Sequence, residues 1–373
     1  PDFVAPGPGG TSYAAPNVSG AILLLQEINF NQTGSFLKAA SIKALLAHTA
    51  YEAGTNAGPD YKHGWGLINP KGAADLILDQ SGTQRINEEA LANGETDYYL
   101  VYSDGTAPLT ATINWLDPAI LPVSRAYDAS DLNNSTSRLV NDLDMRVVSL
   151  ADVVQASPYI LDPTNPDNAA TTGDNFRDNI EKIEWTNPTA GWYAIRVSHK
   201  GTLSASQDYS LVISGVSQGA CAVEALPTIQ NTYDGTVWST AFSNGQSVSV
   251  EGNLTLTGDA SFADVLFSSG VTVTIPTSNT LTITGNVWSF ADVTFAGDGI
   301  LRIAGTSSQN WCGGGNAAVV EFDNSTGATL GGAPLAISDY LDAQAGTLSA
   351  NGSLLLSSSA GNYAQIHESG GQV

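Results

Sequence analysis

Basic residues are scarce in this chain. Its 373 residues include 13 Lys and Arg against 36 Asp and Glu, a formal net charge of −23. A surface of that sign repels nucleic acid and anionic membranes, which excludes both as partners. Cysteine is nearly absent: Cys221 and Cys312 are the two present. They form no C-x-x-C spacing, which excludes a zinc ribbon, and their separation leaves a disulfide and two separate thiols equally open. Long apolar runs are missing, so no membrane-spanning helix is expected. Methionine occurs once, at Met145. The chain has neither an initiator Met nor a signal peptide, and it is expected to be part of a longer or processed polypeptide.

Hydrophobic residues make up 42% and glycine occurs 38 times, a globular composition rich in turns. Three textures follow one another. Residues 1–81 read as helices and tight loops. Ser12 to Ile28 is apolar on nearly every side, which predicts a helix buried all round, with Pro16 in its first turns. Ser35 is expected to cap a second helix through Leu37, Ile42, Leu45 and Leu46, and Asn69-Pro70 to start a third.

Residues 82–217 alternate strand runs with Gly, Pro, Asn and Asp clusters: Tyr98–Tyr102, Leu109–Trp115, Met145–Val148, Trp192–Val197 and Tyr209–Ile213. Strands without intervening helices predict an antiparallel β-sandwich of jelly-roll type. Its oxygen-rich positions Asn141, Asp142, Asp144, Asp174, Asn175 and Asp178 suit Ca²⁺, and the same residues equally suit loop capping.

Residues 218–373 hold Arg302 as their one Lys or Arg. Leu254-Thr255-Leu256-Thr257-Gly258 leading to Ser261–Val265 returns as Leu281-Thr282-Ile283-Thr284-Gly285 leading to Ser289–Val293, at offsets of 27 and 28 residues. Such a repeat predicts a β-solenoid module with Leu254, Leu256, Leu281 and Ile283 inward and Leu256 stacked on Ile283. No aromatic cluster stands out in this segment, which reads as a spacer and not as a sugar platform.

The chemistry lies in Gly10-Thr11-Ser12-Tyr13-Ala14-Ala15-Pro16-Asn17-Val18-Ser19-Gly20. A serine at the mouth of an apolar helix has a hydroxyl fixed by a rigid element and backbone N–H groups that favour an oxyanion. The string resembles the active-site serine motif of the subtilases. Pro1–Gly7 (PDFVAPG) resembles the family segment just upstream, and His63–Pro70 (HGWGLINP) resembles the one that opens the domain's last helix. The resemblance extends through Thr112–Pro118, Leu139–Asp144, Asp178–Glu181 and Gly191–Val197 to the β-sandwich of secreted bacterial subtilases, and covers about residues 1–215. The tail is loosely similar to secreted and surface proteins of Bacteroidota.

The resemblance implies the C-terminal part of an α/β subtilisin-like catalytic domain with Ser12 as nucleophile. It implies a secreted or cell-surface serine endopeptidase acting on proteins or peptides through an acyl-enzyme. Two departures stand out. Only Pro8 and Gly9 separate Gly7 from Gly10, where the family carries a longer loop. The family's catalytic His and Asp and its oxyanion Asn belong to a segment upstream of Pro1, so the N-terminal remainder of the domain is an expected partner. His48, His63, His199 and His367 read as surface or capping histidines. A different reading is a catalytically inactive adhesin or scaffold with a vestigial protease segment.

Overall fold

Asn69 and Pro70 start a helix as their order predicts: the Asn69 side chain accepts the Gly72 N–H at 2.9 Å, and proline occupies the position where no donor is needed. The computed structural model describes residues 1–79, 85–119, 135–216, 218–223, 226–331, 333–350, 353–356 and 365–373. The chain divides into two compact units, Pro1–Leu226 and Pro227–Val373. The segments read as 1–81 and 82–217 both lie within the first.

Three helices open the first unit: α1 (Thr11–Thr33), α2 (Ala39–Thr49) and α3 (Pro70–Leu78). Helix α1 ends at Gly34, whose left-handed conformation lets its N–H reach the Phe30 carbonyl. Ser35 does not cap α2, which starts four residues later with Lys38 at the cap. The Ser35 carbonyl instead accepts the buried Asn29 amide at 2.9 Å, tying the α1–α2 turn.

The strands of this unit are β1 (Arg85–Leu91), β2 (Asp97–Ser103), β3 (Leu109–Trp115), β4 (Asp142–Ser149), β5 (Val154–Ala156), β6 (Tyr159–Ile160), β7 (Thr171–Thr172), β8 (Ile180–Trp185), β9 (Gly191–Lys200), β10 (Gln207–Ser214) and β11 (Gln218–Val223). They form two larger antiparallel sheets, ordered β1-β10-β3-β8 and β11-β2-β9-β4-β5, and a small β6-β7 pair. Leu109, Ala111, Ile113 and Trp115 of β3 share one buried cluster with Val101, Met145, Val147 and Ile195 of the other sheet. Period-two alternation sends the other residues of the four-stranded sheet toward the helices. Val212 and Ile86 join the cluster of Leu25, Leu45, Leu46 and Ala73, and Ser210 bonds Ser41 at 2.9 Å. One sheet therefore has a core on each face, and this is how the helical segment is held.

The second unit is a β-solenoid of about six turns over residues 231–356. Each complete turn contributes to three parallel ladders. Val248, Val265, Val287, Trp311 and Leu330 stack in one ladder. Leu254, Val273, Phe295, Ala317 and Ile337 stack in the next. Leu281, Leu301, Val320 and Leu341 form the third, with Ala260 before them. All are buried. The inward orientation of Leu254, Leu256, Leu281 and Ile283 agrees with expectation, but the expected stacking does not. Leu254 lies beside Val273 and Ile283 beside Phe262, because stacked partners are 16 to 25 residues apart and a 27-residue offset skips to a different face. The two similar strings share strand-and-turn composition, not a place in the turn.

Candidate active site

Two separated segments run side by side, and one of them reaches α1. Pro1–Gly7 runs beside 64–68: Trp65 N–H donates to Asp2 O at 2.8 Å, Val4 N–H to Gly66 O at 2.9 Å, and Ile68 N–H to Val4 O at 3.1 Å. The crossing needs glycine. A Cβ on Gly64 would stand 2.2 Å from Pro1 O, and one on Gly66, at φ +109°, would stand 2.1 Å from Tyr51 O. The other end of the same segment touches α1, where the Asn17 amide donates to Pro6 O and a Cβ on Gly7 would stand 3.0 Å from that of Tyr13.

Ser12 is the second residue of α1 and is exposed. Gly10, at φ 88°, turns the chain into the helix; no side chain caps the N-terminus and the first turn carries no acidic residue. The leading N–H groups thus face an anion-favouring end of the helix. Pro16 lies beyond the first-turn donors and removes the helical N–H that would have reached the Ser12 carbonyl.

Helix α1 is not buried all round. Leu25 is 1% exposed, Ala21 and Asn29 are buried on the same stripe, but Leu23 is 71% and Leu24 62% exposed. Those leucines lie on the side of α1 that the two-cored sheet does not reach.

The four histidines are engaged with residues other than Ser12. His48 is buried, its Nδ1 at 3.0 Å from Thr112 Oγ1 and its Nε2 at 2.7 Å from Ser214 Oγ, which corrects its reading as a surface or capping residue. Burial, and secondarily the charge of Lys182, lower its pKa to about 3. His199 Nε2 accepts the Gly94 N–H at 2.7 Å, and His367 stacks on Tyr340. His63 Nδ1 meets Asp60 Oδ2 at 3.1 Å. Burial raises the Asp60 carboxyl, but bonds from the His63 ring and from the His63 and Lys62 N–H groups outweigh it and hold the group low. This pair was missed in the sequence, where Asp60 and His63 at i,i+3 were its one trace.

The six oxygen-rich residues do not form one shell. Asp142, Asp144 and Asp174 converge on Lys200 Nζ at 3.4, 3.2 and 2.5 Å, and Arg146 Nη2 lies 3.0 Å from both Asp144 and Asp174. Asn141 bonds Gln207, and Asn175 caps its own loop through the N–H groups of Arg177 and Asp178. Buried Glu181 lies beside the cluster, 4.0 Å from Arg146, with its carboxyl pushed well up by burial. Among the described residues no group of three or more His, Cys, Asp or Glu is arranged to hold a metal ion. The three convergent carboxylates are paired with two cationic side chains, Arg146 and Lys200.

Residues 7–66 match the model of the Subtilase family. The chain is also similar to a Dictyostelium discoideum protein described as serine protease/ABC transporter B family protein tagA, at 26% identity over 241 residues, or 60% of this chain. It spans 13% of the length of that relative. No helix among the described residues is long and apolar enough to cross a membrane. These two comparisons make the chain similar to the subtilase family over residues 7–66 and to one serine protease relative.

Proposed function

We propose that this chain is the nucleophile-bearing part of a secreted or cell-surface serine endopeptidase that hydrolyses proteins or peptides through an acyl-enzyme on Ser12. The observation that carries the reading is Ser12 exposed in the first turn of the uncapped α1, with Pro6 and Gly7 against that helix and the start of their segment paired with 64–68. A base would take the Ser12 proton as its Oγ attacks the substrate carbonyl, and the helix N-terminus would favour the oxyanion. None of the four histidines is hydrogen-bonded to Ser12. An upstream part of the catalytic domain supplies the base in this reading, and the bare Leu23–Leu24 face is where that part packs. The β1–β11 sheets correspond to the sandwich of secreted subtilases.

The test is a fluorophosphonate probe on the polypeptide extended upstream of Pro1, with the adduct mapped by mass spectrometry. Labelling of Ser12 is expected there and not in residues 1–373 alone. An extended polypeptide with a His and an Asp at triad distance that leaves Ser12 unlabelled would favour the inactive scaffold, whose supporting feature is the long solenoid.

Calcium enters this reading only on Asp142, Asp144 and Asp174, and an ion there must displace the Lys200 ammonium. Lys200→Met should therefore make the melting temperature respond to millimolar Ca²⁺ by ~2 °C or more. A curve that calcium moves in neither protein removes the ion from the mechanism.

A further inference from the structure

The first turn of the solenoid is incomplete, and the gap holds a cleft. The strand Asn231–Tyr233 precedes Gln246–Val250 in one ladder, but the other two ladders start only at Leu254–Thr255 and at Ala260. The segment 238–244 folds over the uncovered edge. Trp238 and Phe242 stack at 4.7 Å and 21°, and both meet the fully buried Phe262 edge-on, at 6.1 and 5.7 Å. Tyr233 extends the group at 5.1 Å from Trp238. The segment read as lacking aromatic clusters thus contains one: Tyr233, Trp238 and Phe242 lie within ten residues, and the fold adds Phe262.

Capping alone accounts for the burial of Phe262 but not for what remains open. Trp238 and Phe242 keep part of their surface exposed, and together with Leu254–Ala260 they border a cleft of about 420 Å³. That is within the size range of small-ligand sites. Its rim is polar and uncharged apart from one carboxylate: Ser243, Asn244, Thr255, Thr257 and Asp259. Two of these are already fixed by backbone. Asn244 Oδ1 accepts the Ser261 N–H at 2.9 Å and Asp259 Oδ1 the Thr280 N–H at 2.8 Å, which leaves an amide donor and a carboxylate oxygen on anchored side chains.

We propose that this cleft binds a neutral sugar. A pyranose has an apolar C–H face and a rim of hydroxyls, and it needs an aromatic plane flanked by both donors and acceptors. Asp259 and the absence of Lys or Arg from the lining disfavour an anionic sugar. Arg302, the one Lys or Arg in residues 218–373, is held by Glu321 at 2.6 Å. A purely apolar ligand would leave the hydroxyl rim unsatisfied. A peptide adding to the open edge would find a strand of two residues, Leu254–Thr255, too short for a ladder to hold it.

The test is calorimetric titration of the full chain with cellotriose, maltotriose, xylotriose and tri-N-acetylchitotriose, with trigalacturonate as the anionic control and a Val/Thr hexapeptide as the strand control. At least one neutral trisaccharide should bind, and Trp238→Ala should weaken it tenfold or more. Trp238 also covers the core, so the second variant is Thr257→Arg, at an exposed position of the rim. It should weaken binding as much while leaving the melting temperature in place. No heat from any neutral sugar at about 10 mM overturns the proposal, since weaker binding is outside the range of specific sites. Equal binding of trigalacturonate, binding of the hexapeptide alone, or sugar binding that survives both substitutions overturns it as well.

Discussion

Ser12→Ala in the upstream-extended polypeptide should lower kcat by about 10⁶ and abolish fluorophosphonate labelling, with the melting temperature unchanged. The two halves of that expectation come from different properties of one residue. A serine hydroxyl that is the attacking atom has no substitute, so its removal leaves only the contribution of the oxyanion site and of substrate binding. The same hydroxyl contributes almost nothing to the fold: Ser12 is exposed, and no side chain caps α1. Surface substitutions of this kind stay within about 0.5 kcal/mol. A residue that mattered as a helix cap would behave in the opposite way, losing about 1 kcal/mol of stability and little activity. Measuring turnover and melting on the same preparation therefore separates the roles. A loss of only a fewfold in kcat would assign the chemistry to another group.

What the sequence made legible follows the strength of local chemistry. Asn69-Pro70 started a helix because capping needs only neighbours in sequence. The strand runs of β2, β3, β4, β9 and β10 were visible through Val, Ile, Tyr and Leu, residues that central strands bury. The edge strands β1 and β8 were not. Arg85–Leu91 and Ile180–Trp185 carry Glu88, Glu89, Glu181, Lys182 and Glu184, as edges often do, and charge hides the alternation. Nor could the sequence show that one sheet serves two cores. Thr112 and Asn114 on β3 look like outward positions, yet both are fully buried toward the helices. For the site, the motif located Ser12 but not the bare face of α1, which depends on what packs there. The oxygen-rich positions were visible as six donors by spacing, whereas Arg146 and Lys200, which pair with three of them, come from β4 and β9 and meet only in the folded sheet.

Acidification should destabilise the first unit through His48, and a comparison with His48→Gln isolates the effect. His48 closes α2 onto the four-stranded sheet, with Thr112 and Ser214 hydroxyls on its two nitrogens and Lys182 as the facing charge. Both hydroxyls can accept from a protonated ring, so hydrogen bonding does not forbid the cation. Burial does, and Lys182 adds repulsion, which together depress the folded pKa from 6.5 to about 3. With the folded value below the unfolded one, the unfolded chain binds the extra proton. The contribution is intact above pH 6.5, shrinks as pH falls below it, and is spent near pH 3. At pH 4.5 the two-unit interval below the unfolded pKa amounts to about 2.7 kcal/mol. Glu181, Asp142, Asp144 and Asp178 act with the opposite sign, because burial raises their carboxyls and protonation relieves them. They are present in both proteins and cancel in the comparison. Between pH 7.5 and 4.5 the unmodified chain should therefore lose ~5–10 °C more in the melting temperature of this unit than His48→Gln does, although the variant starts lower at pH 7.5. Parallel pH curves for the two proteins would mean that His48 takes up its proton within the folded state, with the α2–sheet contact opening to water before the unit melts.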